Sequence, residues 1–243
     1  MKGKVRGVAS VLAIVLLPAF KCPASEDLLA TVVKQHKPYT ISLALKFSKK
    51  DRNFLLRALS FLDVGPNGHA SGFLVGEGLV MTSYHVVSGK LSAPKMKLLG
   101  FRPDDELDVQ AYVNGCAATV VRVDKEADLA LLRVCTSKPA QRPTFWTTPS
   151  QDEQLLLIAQ PGEEKMIRRG KFTGLQMFRG SEYCSVKIDA EDGFSGSPVY
   201  NSKGEIVGVF CLYDWNRRIG LLSPAVKAQQ FLAEYDASAQ RHP

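Results

Sequence analysis

The chain has 243 residues, which is enough for one large domain or two small ones with a real core. A content of 45% hydrophobic and 23% charged residues is typical of a soluble globular protein and excludes a disordered chain. The net charge is +7, but Lys and Arg are scattered and are not interleaved with aromatic residues. This pattern does not favour nucleic-acid binding.

The first 24 residues have the form of an export signal. Lys2, Lys4 and Arg6 precede an apolar run that ends at Phe20, and small residues follow around Ala24. A membrane anchor is the alternative, but the run is shorter than the roughly 20 residues that span a bilayer. The sequence therefore predicts a signal peptide over residues 1–24, a periplasmic or secreted product, and no stable membrane insertion.

Export also affects the interpretation of the cysteines. Cys22 leaves with the signal, so four cysteines remain in a compartment where disulfides form. They are Cys116, Cys135, Cys184 and Cys211. Because the chain contains no CxxC pair and no Cys/His cluster, we expect no metal site and no cofactor.

Residues 25–62 are difficult to interpret. The spacing of Leu28, Leu29, Val32 and Val33 is helical, whereas residues 40–47 partly alternate like a strand. Asp51 is placed to cap a short helix that ends near Leu59.

From residue 71 the strand signal becomes clear. Residues 72–75 and 79–82 predict a hairpin. His85 follows the second strand, where a core or capping histidine is as reasonable as a catalytic one. Further short strands are predicted at residues 98–101 and 109–113.

A second hairpin is predicted from residues 116–123 and 129–135, with Asp128 at the end of its turn. Taken alone, Asp128 is a turn acid that bonds its own backbone. Symmetric pairing of the two strands places Cys116 opposite Cys135, at a distance that suits a disulfide. The sequence therefore predicts this disulfide, whereas Cys184 and Cys211 are either paired or buried thiols.

Three prolines among polar residues mark a linker at 139–151. Short apolar strands follow, and helix is predicted only at the end of the chain, where Phe231 and Leu232 fit an apolar stripe. Strands at this spacing indicate a sandwich or barrels, so the expected fold class is all-β.

The stretch from Gly193 to Pro198 places Ser195 between glycines. Glycine at 193 lets the N–H groups of Gly193 and Ser195 point at one spot, as an oxyanion hole requires. A serine needs a histidine base and an orienting carboxylate to become a nucleophile. His85 and Asp128 supply those residue types.

Three segments in order make a family resemblance specific. SGFLVGEGLVMTSYHVV, VDKEADLALLRV and DGFSGSPVYNSKGEIVGV are similar to the histidine, aspartate and serine segments of trypsin-like serine peptidases. The bacterial glutamyl-endopeptidase and high-temperature-requirement branches are the most similar, and IAQPG resembles the opening of their second barrel. The resemblance implies two antiparallel six-stranded β-barrels at 63–138 and 152–238, with the active site between them and a C-terminal helix.

The resemblance also implies the roles of the site residues. Ser195 is the nucleophile of an endopeptidase, His85 the general base, and Asp128 the group that orients it. The N–H groups of Gly193 and Ser195 form the oxyanion hole, and backbone near Phe210 and Leu212 pairs with a protein or peptide substrate. The oligomeric state is not predicted.

Two positions depart from trypsin. Trypsin has Asp before its nucleophile to bind a newly made N-terminus, and Phe194 cannot form that ion pair. Asp189 precedes Ser195 by six residues, as does the acid that selects Arg or Lys in trypsin, but it equally suits the end of a strand. A catalytically silent binding or regulatory module is the alternative to an enzyme, although all three triad positions are filled.

Overall fold

The computed structural model describes residues 25–50, 66–135, 142–146 and 148–241. Antiparallel strands dominate these ranges, and the predicted all-β class is confirmed. The predicted signal peptide and the helix expected between Asp51 and Leu59 lie outside the described residues. The helical spacing near Leu28 is confirmed by α1 (Ser25–His36), which a short 3₁₀ turn, Lys37–Tyr39, joins to the first strand.

Seven strands of the first half form one curled antiparallel sheet. They are β1 (Thr40–Lys49), β2 (Gly68–Gly76), β3 (Leu79–Ser83), β4 (Leu107–Val113), β5 (Cys116–Ala117), β6 (Thr119–Asp124) and β7 (Leu129–Arg133). Their order in the sheet is β5-β4-β1-β2-β3-β7-β6. The predicted first hairpin is confirmed, since Phe73 pairs with Met81.

This sheet differs from the six-stranded closed barrel that the resemblance implied. The stretch expected as one strand changes partner at Ala118, so that β5 pairs with β4 and β6 pairs with β7. The two edge strands, β5 and β6, are therefore joined through the single residue Ala118, and no hydrogen-bond ladder pairs them. The curl of the sheet brings both edges together without closing them.

The predicted disulfide joins Cys116 and Cys135, whose Cα atoms lie 6.3 Å apart. The route to it differs from simple hairpin pairing, because Cys116 pairs with Val113 in β4. Cys135 follows β7, beside the other edge strand. The disulfide therefore ties the two edges of the curled sheet together.

One predicted strand of the first half is wrong. The helix α2 (Tyr84–Val87) is the single helical turn that contains His85, and α3 (Ala93–Leu98) follows it. Leu98 is the last residue of α3, and residues 99–101 form the turn after it. Pro94 stands in the first turn of α3, where its missing N–H costs nothing. Leu98 is 83% exposed. The apolar residue that suggested a buried strand therefore lies at the surface.

The second half is a closed six-stranded barrel, as the resemblance implied. Its strands are β8 (Gln154–Ala159), β9 (Met166–Phe178), β10 (Ser181–Ile188), β11 (Pro198–Tyr200), β12 (Ile206–Asp214) and β13 (Ile219–Pro224). They close in the order β10-β13-β12-β11-β8-β9. The predicted terminal helix is confirmed as α4 (Ala225–Ala239), with Phe231 and Leu232 buried.

One hydrophobic cluster connects the two halves. It contains Leu29 of α1, Phe73 of the first sheet, Ile158 of the barrel and Phe231 of α4. Burial of apolar side chains across this junction stabilises the relative position of the halves. The site described below, which takes residues from both halves, depends on that position.

Candidate active site

His85 and Asp128 are neighbours because of one strand pairing. In the antiparallel pair β3–β7, Ser83 lies opposite Leu129. His85, two residues after Ser83, and Asp128, just before Leu129, therefore lie at the same end of the sheet. The fold thus brings together two residues that are 43 positions apart in the chain.

The contacts between these residues fix the imidazole. Nδ1 of His85 lies 2.8 Å from Oδ2 of Asp128, while Oδ1 accepts a 2.8 Å hydrogen bond from the backbone N–H of His85. The carbonyl of Asp128 accepts another from the N–H of Tyr84, at 3.1 Å. Because an ionised carboxylate only accepts hydrogen bonds, Nδ1 holds the proton and Nε2 is left as an acceptor.

Ser195 completes the arrangement from the second half. Its Oγ lies 2.8 Å from Nε2 of His85. The hydroxyl donates to the free imidazole nitrogen, which is the geometry of an activated serine nucleophile. The structure therefore brings together all three residues that the sequence singled out.

The loop around Ser195 requires glycine on both sides. Gly193 has φ +88°, and a Cβ there would lie 2.5 Å from Cβ of Pro161. Gly196 has φ +85°, and a Cβ there would lie 2.1 Å from Oγ1 of Thr82. Within the described residues, the N–H groups of Gly193 and Ser195 donate no hydrogen bond to the protein. Both residues line the cleft, so these two donors remain for a ligand.

Two thiols are near the barrel core but are not nucleophiles. Burial raises the pKa of the Cys184 thiol to about 11, and burial raises the pKa of Cys211 well above its usual value, with the carboxylate of Asp128 adding to the shift. Both thiols are free in the structure and buried. A thiol that stays protonated neither attacks a carbonyl nor binds a metal.

A cleft of about 610 Å³ opens beside the triad. Phe210 and Leu212 line it, as the sequence indicated, and so do the aromatic residues Tyr213 and Trp215. Asp189 is not among its lining residues, and its carboxylate pairs with the guanidinium of Arg218 on the exposed surface. This position favours the strand-end interpretation of Asp189 over the specificity role.

Two residues of the site gave no signal in the sequence. Ser71 donates a hydrogen bond to the carbonyl of Gly193, 122 positions away. Arg168 contacts the loop of Ser195 from the neighbouring strand β9. A single sequence reveals neither, since a serine in a strand and an arginine on a barrel have many ordinary uses.

The fold and this arrangement of side chains define a serine-peptidase type of domain, and a family comparison agrees. The family model described as "Trypsin-like peptidase domain" matches residues 70–209. The match covers more than half of the chain and all three triad positions, so the chain belongs to the trypsin-like peptidase family.

Several curated relatives are similar at the sequence level. Glutamyl endopeptidase of Staphylococcus epidermidis is 26% identical over 166 residues, which cover 63% of this chain and 58% of the relative. Serine protease HTRA3 of Homo sapiens is 28% identical over 228 residues, which cover 86% and 45%. Serine protease HTR4 of Bos taurus is 28% identical over 226 residues, covering 86% and 41%. The chain thus spans about half the length of the relatives that it matches.

Solved structures share the fold. The Rv3671c protease from M. tuberculosis in its active form superposes with a TM-score of 0.60 at 20% identity, covering 93% of each chain. Deg5 superposes with a TM-score of 0.58 at 17% identity, covering 86% of this chain and 94% of that one. At these identities the likeness concerns the fold.

Two negative observations concern the part of the chain that the structure describes. No helix there is long and apolar enough to cross a bilayer. No group of His, Cys, Asp and Glu in the same residues is arranged to hold a metal ion.

Proposed function

We propose that the protein is a serine endopeptidase that hydrolyses peptide bonds through an acyl-enzyme. The main support is the line of two 2.8 Å contacts from Asp128 through His85 to Ser195. Family membership supports the same reaction class.

In the proposed reaction, Oγ of Ser195 attacks the carbonyl carbon of the scissile bond while Nε2 of His85 takes its proton. Asp128 keeps the imidazole in the required tautomer and stabilises the imidazolium. The N–H groups of Gly193 and Ser195 bind the oxyanion, and each such donor contributes about 3 kcal/mol to transition-state stabilisation. His85 then protonates the leaving amine. Water attacks the carbonyl carbon of the acyl-enzyme and gives a proton to Nε2 of His85, and the bond to Oγ of Ser195 breaks as Oγ takes that proton back.

The substrate is proposed to be an extended protein or peptide segment. It would pair as an added strand with backbone near Phe210 and Leu212, whose side chains line the cleft. The backbone of Phe210 already has hydrogen-bond partners within the protein. Its N–H donates to the carbonyl of Ser197, and its carbonyl accepts from the N–H of Gly196. The residues that follow Phe210 are therefore the better candidates for pairing with substrate.

The role of Asp189 can be tested with two substrates. Its pairing with Arg218, with both side chains more than half exposed, supports a structural role. Equal rates on arginyl and alanyl substrates would exclude selection of basic residues by Asp189. A strong arginyl preference that Asp189→Asn abolishes would establish it.

Export is also part of the proposal. The basic, apolar and small-residue sequence of the first 24 residues supports removal of a signal peptide near Ala24. N-terminal sequencing of the protein recovered from the periplasm or the culture medium tests it. An intact Met1 on the exported protein would contradict the proposal.

A fluorophosphonate probe tests the activity directly, because it forms a covalent bond only with an activated serine. We expect labelling of the wild type, none of Ser195→Ala, and labelling of Asp128→Asn slower by a factor on the order of 10⁴. Casein digestion should follow the same order. A folded wild type that neither labels nor digests casein would indicate the silent binding module instead.

A further inference from the structure

The loop that contains Ser195 is fixed to the barrel by an aromatic side chain. The ring of Phe194 has no exposed surface and lies in the hydrophobic cluster inside the second barrel. Trypsin uses an ion pair to a new N-terminus at this position. In this chain a buried ring stands there, so that ion pair cannot form and the loop depends on the contacts of the ring and its neighbours.

Arg168 of β9 provides such contacts at both ends of the turn. Its guanidinium carbon lies 5.6 Å from the centre of the Phe194 ring. Its Nη2 donates a 2.5 Å hydrogen bond to Oε1 of Glu191, and its Nη1 donates to the carbonyl of Ile167 at 3.2 Å. The guanidinium thus combines a cation–π contact with a charge-assisted hydrogen bond.

The two contacted residues are ends of one turn. The N–H of Phe194 donates to the carbonyl of Glu191 at 3.2 Å. Gly193, whose N–H is a proposed oxyanion donor, lies between them. Both ends of this turn contact the guanidinium of Arg168. If Gly193 moved out of position, the turn would shift and these contacts would be disturbed.

We propose that Arg168 is a positioning residue that holds the turn 191–194 in its oxyanion-binding conformation. This inference rests on the proposed peptidase function and deepens it. Arg168 acts through the turn and touches no reacting atom. Whereas the ion pair of trypsin forms only after activation, the contacts of Arg168 form when the barrel folds.

The location of the ion pair separates this role from ordinary stabilisation. The side chains of Arg168 and Glu191 are 31% and 52% exposed. Partly exposed ion pairs contribute little to the free energy of unfolding. Loss of Arg168 should therefore slow the chemical step much more than it lowers the melting temperature.

The test uses the inactivation kinetics of a fluorophosphonate–rhodamine probe, which separate the saturating rate from the half-saturating concentration. The variants are Arg168→Met, Arg168→Lys and Glu191→Gln, and Lys171→Met removes an exposed cation of the same strand as a matched control. Hydrogen–deuterium exchange of residues 190–197 reports on the loop without requiring activity. Thermal melting confirms that each variant is folded.

We expect Arg168→Met to lower the saturating rate about 10-fold, which is less than the roughly 10²–10³-fold cost of removing one donor outright. The half-saturating concentration should stay within about 2-fold of wild type. Arg168→Lys keeps the positive charge but loses the planar set of guanidinium donors, so its saturating rate should lie between those of wild type and Arg168→Met. Exchange in residues 190–197 should accelerate in Arg168→Met and not in Lys171→Met.

An unchanged saturating rate in folded Arg168→Met, or the same loss in Lys171→Met, would overturn the inference. If Arg168→Met does not fold, Glu191→Gln decides in its place by the same criteria. A wild type that does not react at all refutes the peptidase function instead. In that case the exchange rates alone decide whether Arg168 holds the turn.

Discussion

The hydroxyl of Ser71 donates a 2.9 Å hydrogen bond to the carbonyl of Gly193 and thereby connects the first sheet to the loop that contains Ser195. The same Oγ accepts a hydrogen bond from the N–H of Gln160, and the N–H of Ser71 donates to the carbonyl of Ser195. Ser71 is fully buried. The geometry of the proposed oxyanion hole therefore depends on the docking of the two halves.

Ser71→Ala should lower both stability and activity. Loss of the hydroxyl leaves the carbonyl of Gly193 and the N–H of Gln160 without a partner, which costs about 1–3 kcal/mol of unfolding free energy. Urea denaturation measures this loss, and fluorophosphonate labelling should slow in parallel. Ser42, the cross-strand neighbour of Ser71, provides the control Ser42→Ala. Labelling of Ser71→Ala at the wild-type rate would contradict the prediction.

Alanine substitution of Gly180 and Gly196 separates the cost of backbone strain from the cost of steric overlap. Gly180 and Gly196 have nearly the same φ, +84° and +85°. A Cβ at Gly180 meets nothing within 4 Å, whereas one at Gly196 would overlap Thr82 and the carbonyl of Ser71.

Gly180→Ala should therefore cost only the strain of a left-handed residue, about 1–2 kcal/mol. Gly196→Ala adds overpacking of about 1–3 kcal/mol and should abolish labelling, because it pushes the two halves apart. Thermal and urea denaturation of the two variants, run side by side, measure the difference. Equal losses of stability would contradict this interpretation.

The Cys116–Cys135 disulfide should stabilise the curled sheet. It spans 19 positions, and the chain-entropy estimate for a loop of this size is about 3 kcal/mol. Cys116→Ser/Cys135→Ser should lose that amount in urea denaturation. Addition of reductant should destabilise the wild type to the same extent and leave the variant unchanged. A reductant effect on the variant would indicate a different target.

His36 should make stability depend on pH. Its ring packs on Tyr200 with centroids 4.6 Å apart, and burial lowers the pKa of His36. The unfolded chain then binds a proton more readily than the folded one below the usual histidine pKa of about 6.5. The neutral His36 ring therefore makes its full contribution to the unfolding free energy above that pH, and this free energy decreases as the pH falls.

The variant His36→Phe keeps an aromatic ring and removes the titration. The difference in unfolding free energy between pH 7.5 and pH 5.5 should be smaller in this variant than in the wild type. Urea denaturation at the two pH values measures it. An unchanged difference would show that acid destabilises the fold through other groups.

Local sequence patterns were sufficient for the triad segments, because each residue stands next to a short apolar strand with a clear period. They failed at Leu98, where an exposed leucine on a short helix suggested a strand. They also failed at Ala118, since the change of partner from β4 to β7 depends on the curl of the whole sheet. Alternation within one segment contains no information on which strand it pairs with.

The contacts that hold the site were not predictable for a related reason. Ser71 and Arg168 act on a loop more than twenty positions away in each case, and the chemistry of a hydroxyl or a guanidinium does not specify a distant partner. Asp189 shows the converse, because its spacing from Ser195 suggested a role that its pairing with Arg218 does not support. Spacing is informative only where the intervening loop is also known.

The backbone of Asp128 affects how mutational scans of this site should be interpreted. Asp128 has φ +54°, a conformation that Asp and Asn tolerate better than other side chains with a Cβ. An alanine at this position would remove the carboxylate and strain the turn at once, so its phenotype would merge two causes. Asparagine removes the charge without straining the turn, and glycine removes the whole side chain without straining it.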